Sequence, residues 1–171
     1  MVEELNKAIE VYMQKWQAFI SERQNATFFK DLRPTAIGWK VQDLDEFNRR
    51  FEEMRGLSTK LDLTWMNERW ISEGCLKTPL AHNISIIKLM QRRPNSTDAI
   101  GLDHIDFYSP AAAGAEALLD KEGLKWTHEQ NGICTWTSIW FAGTEAKLRT
   151  DTVLTVLADE YKQAEQHVLA A

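Results

Sequence analysis

The spacing of hydrophobic residues predicts an amphipathic helix within residues 1–24, running from Glu3 to Glu22. Apolar side chains recur there every three or four positions, which places them on one face of an α-helix with charged residues opposite. Two roles remain open for this apolar face: it packs across the domain, or it forms the contact of a homodimer. The charged face is not strongly basic, so we do not expect a membrane-surface helix.

Two later segments repeat one order of elements: a strand, a helix and three further strands. The first segment, residues 35–91, begins with a short strand at Thr35–Val41. Asp43 is the predicted cap of the helix that follows, Glu46 completes a capping box, and Gly56 is the predicted end of the helix. The three further strands are predicted at 61–65, 69–73 and 85–90.

The second segment, residues 102–149, begins with a strand at Leu102–Tyr108. Ser109 is the predicted cap of a helix that is expected to continue from Ala111 to Glu122, with proline at its first position. The three further strands are predicted at 125–129, 134–141 and 145–149.

This order predicts an α+β fold. Two βαβββ modules would form one shared curved sheet and a cleft, because a repeated supersecondary unit implies a pseudo-twofold arrangement. Extra helices would flank the modules at both ends, the C-terminal one over residues 151–169. The length of 171 residues suits a single domain.

Composition and charge narrow the class of protein. The net charge of −5 argues against a nucleic-acid-binding protein. The first residues do not form a signal peptide, and no apolar run approaches the roughly 20 residues that span a bilayer. We therefore expect a cytoplasmic protein with no nucleic-acid or membrane partner. Cys75 and Cys134 lie outside any zinc or redox spacing and are predicted to be reduced thiols.

The repeated units differ in their chemistry. The second unit has His104 and Glu145 where the first has Ala36 and Ile86. Histidine and glutamate bind metal ions and transfer protons, whereas alanine and isoleucine do neither. The sequence therefore predicts that any reactive groups lie in the second unit.

Alternation along a strand gives two further expectations. Because successive side chains point to opposite faces, Asp103 is not expected to orient His104. Lys147 falls on the same face as Glu145 and is the expected partner of that carboxylate, since an unpaired buried carboxylate is costly.

Two short motifs resemble the vicinal-oxygen-chelate superfamily, which includes glyoxalases, bleomycin-resistance proteins and extradiol dioxygenases. The segment Leu102–Phe107, with sequence LDHIDF, is similar to the first strand of such a module, and Gly143–Leu148 is similar to its fourth. The resemblance implies that His104 and Glu145 are ligands of a divalent metal such as zinc, nickel, manganese or iron. His82 is the candidate third ligand, because catalytic zinc normally keeps three protein ligands.

The resemblance leaves two classes of function open. In the first, the protein is a metal-dependent lyase, isomerase or dioxygenase-type enzyme with a reduced ligand set, in which Glu145 is also the catalytic residue. In the second, it is a non-catalytic ligand-binding or resistance-type protein that stacks a small molecule on Trp39, Trp65 and Trp140. A scaffold or homodimer whose cleft is filled by side chains is the remaining alternative.

Overall fold

The computed structural model describes residues 1–131 and 134–150, which form an α+β fold on one mixed eight-stranded sheet. The helices are α1 (Val2–Ser21), α2 (Ala26–Lys30), α3 (Leu44–Leu57) and α4 (Glu116–Lys121). The strands are β1 (Arg33–Val41), β2 (Ser58–Met66), β3 (Arg69–Leu76), β4 (Ile86–Gln91), β5 (Gly101–Tyr108), β6 (Trp126–Asn131), β7 (Cys134–Phe141) and β8 (Thr144–Arg149). Their order in space is β2-β3-β4-β1-β5-β8-β7-β6, so each half of the sheet comes from one repeated segment. The predicted α+β fold of paired βαβββ modules is confirmed.

Strand register shows the internal repeat directly. β1 pairs in parallel with β4, with Ala36 opposite Ile86, and β5 pairs in parallel with β8, with His104 opposite Glu145. β1 and β5 run antiparallel at the centre of the sheet, where Gly38 lies opposite His104. The two halves are therefore related by a pseudo-twofold axis between β1 and β5, and they align the residues that the sequence repeat aligns.

The two faces of the sheet differ in polarity. One face, called here the helix-packed face, carries core residues such as Ile37, Ile87 and Ile105, which pack with the apolar side of α1. Side chains alternate along a strand, so the intervening residues lie on the other face. That face, called here the polar face, carries His104 and Lys88. Ionisable groups are thus concentrated on the side of the sheet away from the apolar core.

Helix α1 anchors its apolar stripe within the same chain. Trp16 stacks on Phe107 of β5 with ring centroids 4.5 Å apart. The hydroxyl of Tyr12 donates a 2.6 Å hydrogen bond to the backbone carbonyl of Glu145 in β8. The packing role predicted for this helix accounts for its hydrophobic face.

None of the described helices is long and apolar enough to cross a membrane.

The capping box predicted for the first module is present at the start of α3. The carboxylate of Asp43 accepts a 2.9 Å hydrogen bond from the backbone N–H of Glu46, and Glu46 reaches back to the N–H of Gln42. We expect Asp43→Ala to lower the free energy of unfolding by about 1 kcal/mol, because a helical N–H loses its partner. Urea denaturation will measure the change. Asp45→Ala, in the same helical turn, is the control, and an equal loss there would contradict a capping role.

The helix of the second module is shorter than predicted. Ser109 caps a 3₁₀ turn at Pro110–Ala112, and α4 begins only at Glu116. Gly114 separates the two pieces with a φ of 75°, in the left-handed region. That conformation cannot continue a right-handed helix, and glycine adopts it at little cost. The single helix predicted over these residues is therefore wrong.

Other boundaries also differ from the sequence-based expectations. Gly56 lies inside α3, which continues to Leu57, so glycine does not end this helix. A short helix, α2, forms where the sequence indicated only a connector, because Phe29 is buried in the core. The predicted C-terminal helix, residues 151–169, lies outside the described residues.

Candidate functional site

His104 lies in β5 at the centre of the polar face, and its side chain is only 2% exposed. Its imidazole ring covers Gly38 of β1: a Cβ atom at position 38 would lie 2.4 Å from Cε1 and 2.7 Å from Nδ1 of the ring. Protein interiors leave no spare volume for such an overlap. Gly38 is therefore a structural requirement for the position of His104.

A β-bulge in β5 brings Asp103 to the same side as His104. In the pairing with β1, Trp39 lies opposite Leu102 and Gly38 lies opposite His104, so Asp103 has no counterpart on β1. A bulge interrupts the alternation of side chains along a strand. Asp103 Oδ2 lies 2.9 Å from His104 Nδ1, within hydrogen-bond distance. The expectation that Asp103 does not orient His104 is wrong, because strict alternation does not hold across the bulge.

The surroundings of the pair lower the pKa values of both Asp103 and His104. Burial would raise the pKa of Asp103, but the hydrogen bond from His104 and the ammonium of Lys40, 2.7 Å away, hold it well below its ordinary value. Burial lowers the pKa of His104, and the charge of Lys147 lowers it further. A neutral imidazole that donates Nδ1–H to Asp103 has its lone pair on Nε2. Nε2 of His104 is buried and has no hydrogen-bond partner in the part of the chain that the structure describes.

Glu145 lies opposite His104 on β8, and its partner comes from the neighbouring strand. Its Oε1 accepts a 2.6 Å hydrogen bond from the hydroxyl of Ser138 in β7. Lys147, the expected partner, instead places its Nζ 5.0 Å from the ring centroid of Trp136. Within the described part of the chain, no ion pair joins Lys147 to Glu145. Neighbouring strands lie about 5 Å apart, whereas residues i and i+2 of one strand are about 6.6 Å apart, so the cross-strand hydroxyl is closer.

Three groups lie close enough to share a metal ion. One donor atom from each of Asp103, His104 and Glu145 lies within 4.8 Å of the others. His82 lies elsewhere, with its Nε2 3.2 Å from a carboxylate oxygen of Glu10 in α1, the helix that packs on the opposite face. The structure thus brings together two of the predicted ligands, and Asp103 lies where His82 was expected to contribute.

A buried ion pair borders this group. The carboxylate of Asp106 has no exposed surface, and the ammonium of Lys88 lies 2.5 Å from its Oδ2. Arg149 lies on its other side, with Nε 3.7 Å away. Burial would raise the pKa of Asp106, but Lys88 and Arg149 together hold it well below its ordinary value. Asp106 therefore carries a negative charge beside His104, whose Nε2 is 3.7 Å from its Oδ1.

The first module contributes an apolar surface at the equivalent place. Ala36, Ile86 and Cys75 form a separate buried cluster there. Cys75 is a free thiol, and burial raises its pKa, so it stays protonated. At these equivalent positions the polar face therefore has His104 and Glu145 on the second-module half and apolar side chains on the first-module half.

The three tryptophans predicted to bind a ligand lie in different environments. Trp39 is in the core of the helix-packed face, 8% exposed. Trp65 is on the edge strand β2, exposed and 5.2 Å from the ring of Trp70. Trp140 lies opposite Glu145 across β7 and β8 and is partly exposed. Of the three, Trp140 is the one beside the proposed site, and the binding role of each stays a prediction.

Sequence analysis missed several residues of the site. Asp106 lies two positions after His104, so alternation places both on one face. Ser138 and Gly38 carry no local signal, because their roles come from contacts with neighbouring strands. Asp103 is adjacent to His104 in the sequence, but the bulge that turns it towards the imidazole is visible only in the strand register.

Comparisons with known proteins support the fold. No protein-family model matches the chain, and no curated protein matches it. A solved structure described as protein EC4020, from structural genomics, has 18% sequence identity and a TM-score of 0.66, over 93% of this chain and 94% of its own. A methylmalonyl-CoA epimerase from Mycobacterium tuberculosis has 15% identity and a TM-score of 0.50, over 72% of this chain and 91% of its own. The resemblance to vicinal-oxygen-chelate proteins is thus confirmed at the level of the fold.

Proposed function

We propose that the chain binds a divalent cation between His104 and Glu145, with Asp103 as the carboxylate that orients the imidazole, and acts on a small organic molecule as an isomerase-type or lyase-type enzyme. The observation that carries the proposal is Nε2 of His104, which is buried and has no hydrogen-bond partner among the described residues. A buried polar atom without a partner needs an explanation, and a bound ion is one of them. The two carboxylates beside it supply the negative charge that a cation requires.

The chemistry of these donors fits a divalent cation. Histidines that bind metals commonly donate their other ring N–H to a carboxylate, as His104 does to Asp103. One imidazole with carboxylate oxygens suits manganese, iron or zinc better than soft metals. Lys40 offsets part of the charge of Asp103, so we expect moderate affinity. A bound cation would polarise an oxygen atom of the substrate as a Lewis acid.

The protein groups would bind, orient and transfer protons. Asp103 keeps His104 in the tautomer that presents Nε2 to the site. Ser138 fixes Oε1 of Glu145, which leaves this carboxylate oriented to take a proton from a carbon next to a polarised carbonyl and to return it. The apolar cluster of the first module would accommodate the rest of the molecule. A cytoplasmic location follows only from the sequence and stays a prediction.

Thermal unfolding with added metal ions will test the proposal. We expect Mn²⁺, Fe²⁺ or Zn²⁺ at a hundredfold excess over the dissociation constant to stabilise the protein by about 2.7 kcal/mol, and EDTA to reverse this. His104→Ala should abolish the shift. His128→Ala is the matched control, because that histidine is on β6 and 54% exposed. A shift that persists in His104→Ala, or no shift with any of these ions, would contradict the proposal.

A non-catalytic ligand-binding protein is the second candidate. The favouring observation is the first module, in which Ala36 and Ile86 provide no donors at the positions equivalent to His104 and Glu145. Quenching of Trp140 fluorescence by small molecules without any metal-dependent stabilisation would support this alternative instead.

A further inference from the structure

Three hydrogen-bond donors lie at one end of the polar face: the cationic groups of Lys147 and Arg149 and the indole N–H of Trp136. Lys147 and Arg149 lie two residues apart on β8, and both cationic groups lie over the ring of Trp136, at 5.0 and 5.3 Å from its centroid. Among the described residues, the buried indole Nε1 of Trp136 has no hydrogen-bond partner. Nε of Arg149 also has none, although this side chain is only 7% exposed.

The neighbouring carboxylates are engaged elsewhere. Asp106 is 3.7 Å from Nε of Arg149 but is already in closer contact with Lys88, at 2.5 Å. Glu129 lies opposite Trp136 across β6 and β7, and its Oε1 accepts a 3.1 Å hydrogen bond from the hydroxyl of Thr127. In the described part of the chain, Lys147 has no carboxylate within ion-pair distance. Arg149 therefore shares Asp106 with Lys88, and Lys147 has no ion pair among the described residues.

We propose that Trp136, Lys147 and Arg149 bind an oxyanion group of a small organic acid, which makes such acids the substrate class if the proposed function holds. Arginine and lysine are the side chains that bind carboxylate and phosphate groups, and an indole N–H can donate to an oxygen atom of such a group at the edge of the ring. Burial strengthens these interactions, because little water competes for the donors.

Strand geometry places this oxyanion site within reach of His104 for a small molecule bound to both. Every second side chain of β8 lies on the same face, which places Glu145, Lys147 and Arg149 side by side. Successive residues on one face are about 6.6 Å apart. An acid held by Lys147 and Arg149 would therefore extend its next few atoms towards Glu145 and His104. Small carboxylic acids and phosphorylated compounds both match this spacing, and their shared chemistry is the oxyanion.

Calorimetric titration with inorganic phosphate and with acetate, at constant ionic strength, will test the site. We expect saturable binding of at least one anion, weakened about tenfold or more in Lys147→Gln because a charged hydrogen bond is lost. Trp136→Phe keeps the ring and removes the N–H, so it should weaken binding as well. Tighter binding of phosphate would indicate a phosphorylated substrate, and tighter binding of acetate a carboxylic acid.

Arg55→Gln is the matched control, because Arg55 also lies over an aromatic ring, that of Phe51, but on the exposed surface of α3. No saturable binding of either anion, or equal binding by wild type, Lys147→Gln and Trp136→Phe, would overturn the oxyanion site. Metal-dependent stabilisation measured on the same variants separates this result from the proposed function. Metal-dependent stabilisation without anion binding would contradict only the oxyanion site. Anion binding without metal-dependent stabilisation would contradict only the proposed metal-dependent enzyme.

Discussion

Replacing Lys88 by methionine will destabilise the protein by about 3–5 kcal/mol, the cost of leaving a buried charge without its partner. The ammonium of Lys88 is the closest cation to Asp106, whose side chain has no exposed surface. Arg149 remains near Asp106, but its Nε is 3.7 Å from Oδ2 and compensates for only part of the lost contact with Lys88. Urea denaturation at pH 7 will measure the loss.

Two variants distinguish a lost ion pair from a general effect of substitution. Lys147→Met changes the equivalent position of the second module, where no ion pair is lost among the described residues, and should cost less than about 1 kcal/mol. Combining Lys88→Met with Asp106→Leu removes both charges and should recover part of the stability, although the buried Arg149 then loses its contact with Asp106. Equal losses in Lys88→Met and Lys147→Met would show that the pair with Asp106 is unimportant.

The loss should also depend on pH. Without Lys88, burial raises the pKa of Asp106 in the folded protein above its value in the unfolded chain. Such a group stabilises the folded state at low pH, and this stabilisation disappears as the pH rises through the folded pKa. The difference between wild type and Lys88→Met should therefore be smaller at pH 5 than at pH 8.

Replacing Gly38 by alanine will displace the His104 ring and abolish metal-dependent stabilisation. The new Cβ would lie 2.4 Å from Cε1 of the ring, and β1 is held between β4 and β5, so the imidazole is the group that must move. We also expect the free energy of unfolding without metal to fall by about 1–3 kcal/mol, as for other overpacked interiors. Thermal unfolding with and without Mn²⁺ will measure both effects.

Gly56→Ala is the control for this experiment. Gly56 lies in helix α3 with no atom within 4 Å of the added Cβ, so alanine there should be neutral or slightly stabilising and should leave the Mn²⁺ shift unchanged. An unchanged Mn²⁺ shift in Gly38→Ala would contradict the role assigned to the position of His104.

The sequence by itself determined the order of elements, the internal repeat and the inequality of its halves. Periodic hydrophobic residues identified α1, and the repeated order of strands and helix placed His104 and Glu145 at positions that are paired in the sheet. These features are local or recur at a fixed offset, so they can be recognised along the chain without knowledge of strand pairing.

Only the tertiary structure decided which side chains meet. The bulge that turns Asp103 towards His104, the space that Gly38 leaves for the imidazole and the bond from Ser138 to Glu145 all depend on register between strands. The position of His82 near α1 depends likewise on how the helix packs. Alternation along an isolated strand contains none of this information, because one inserted residue moves a side chain to the other face.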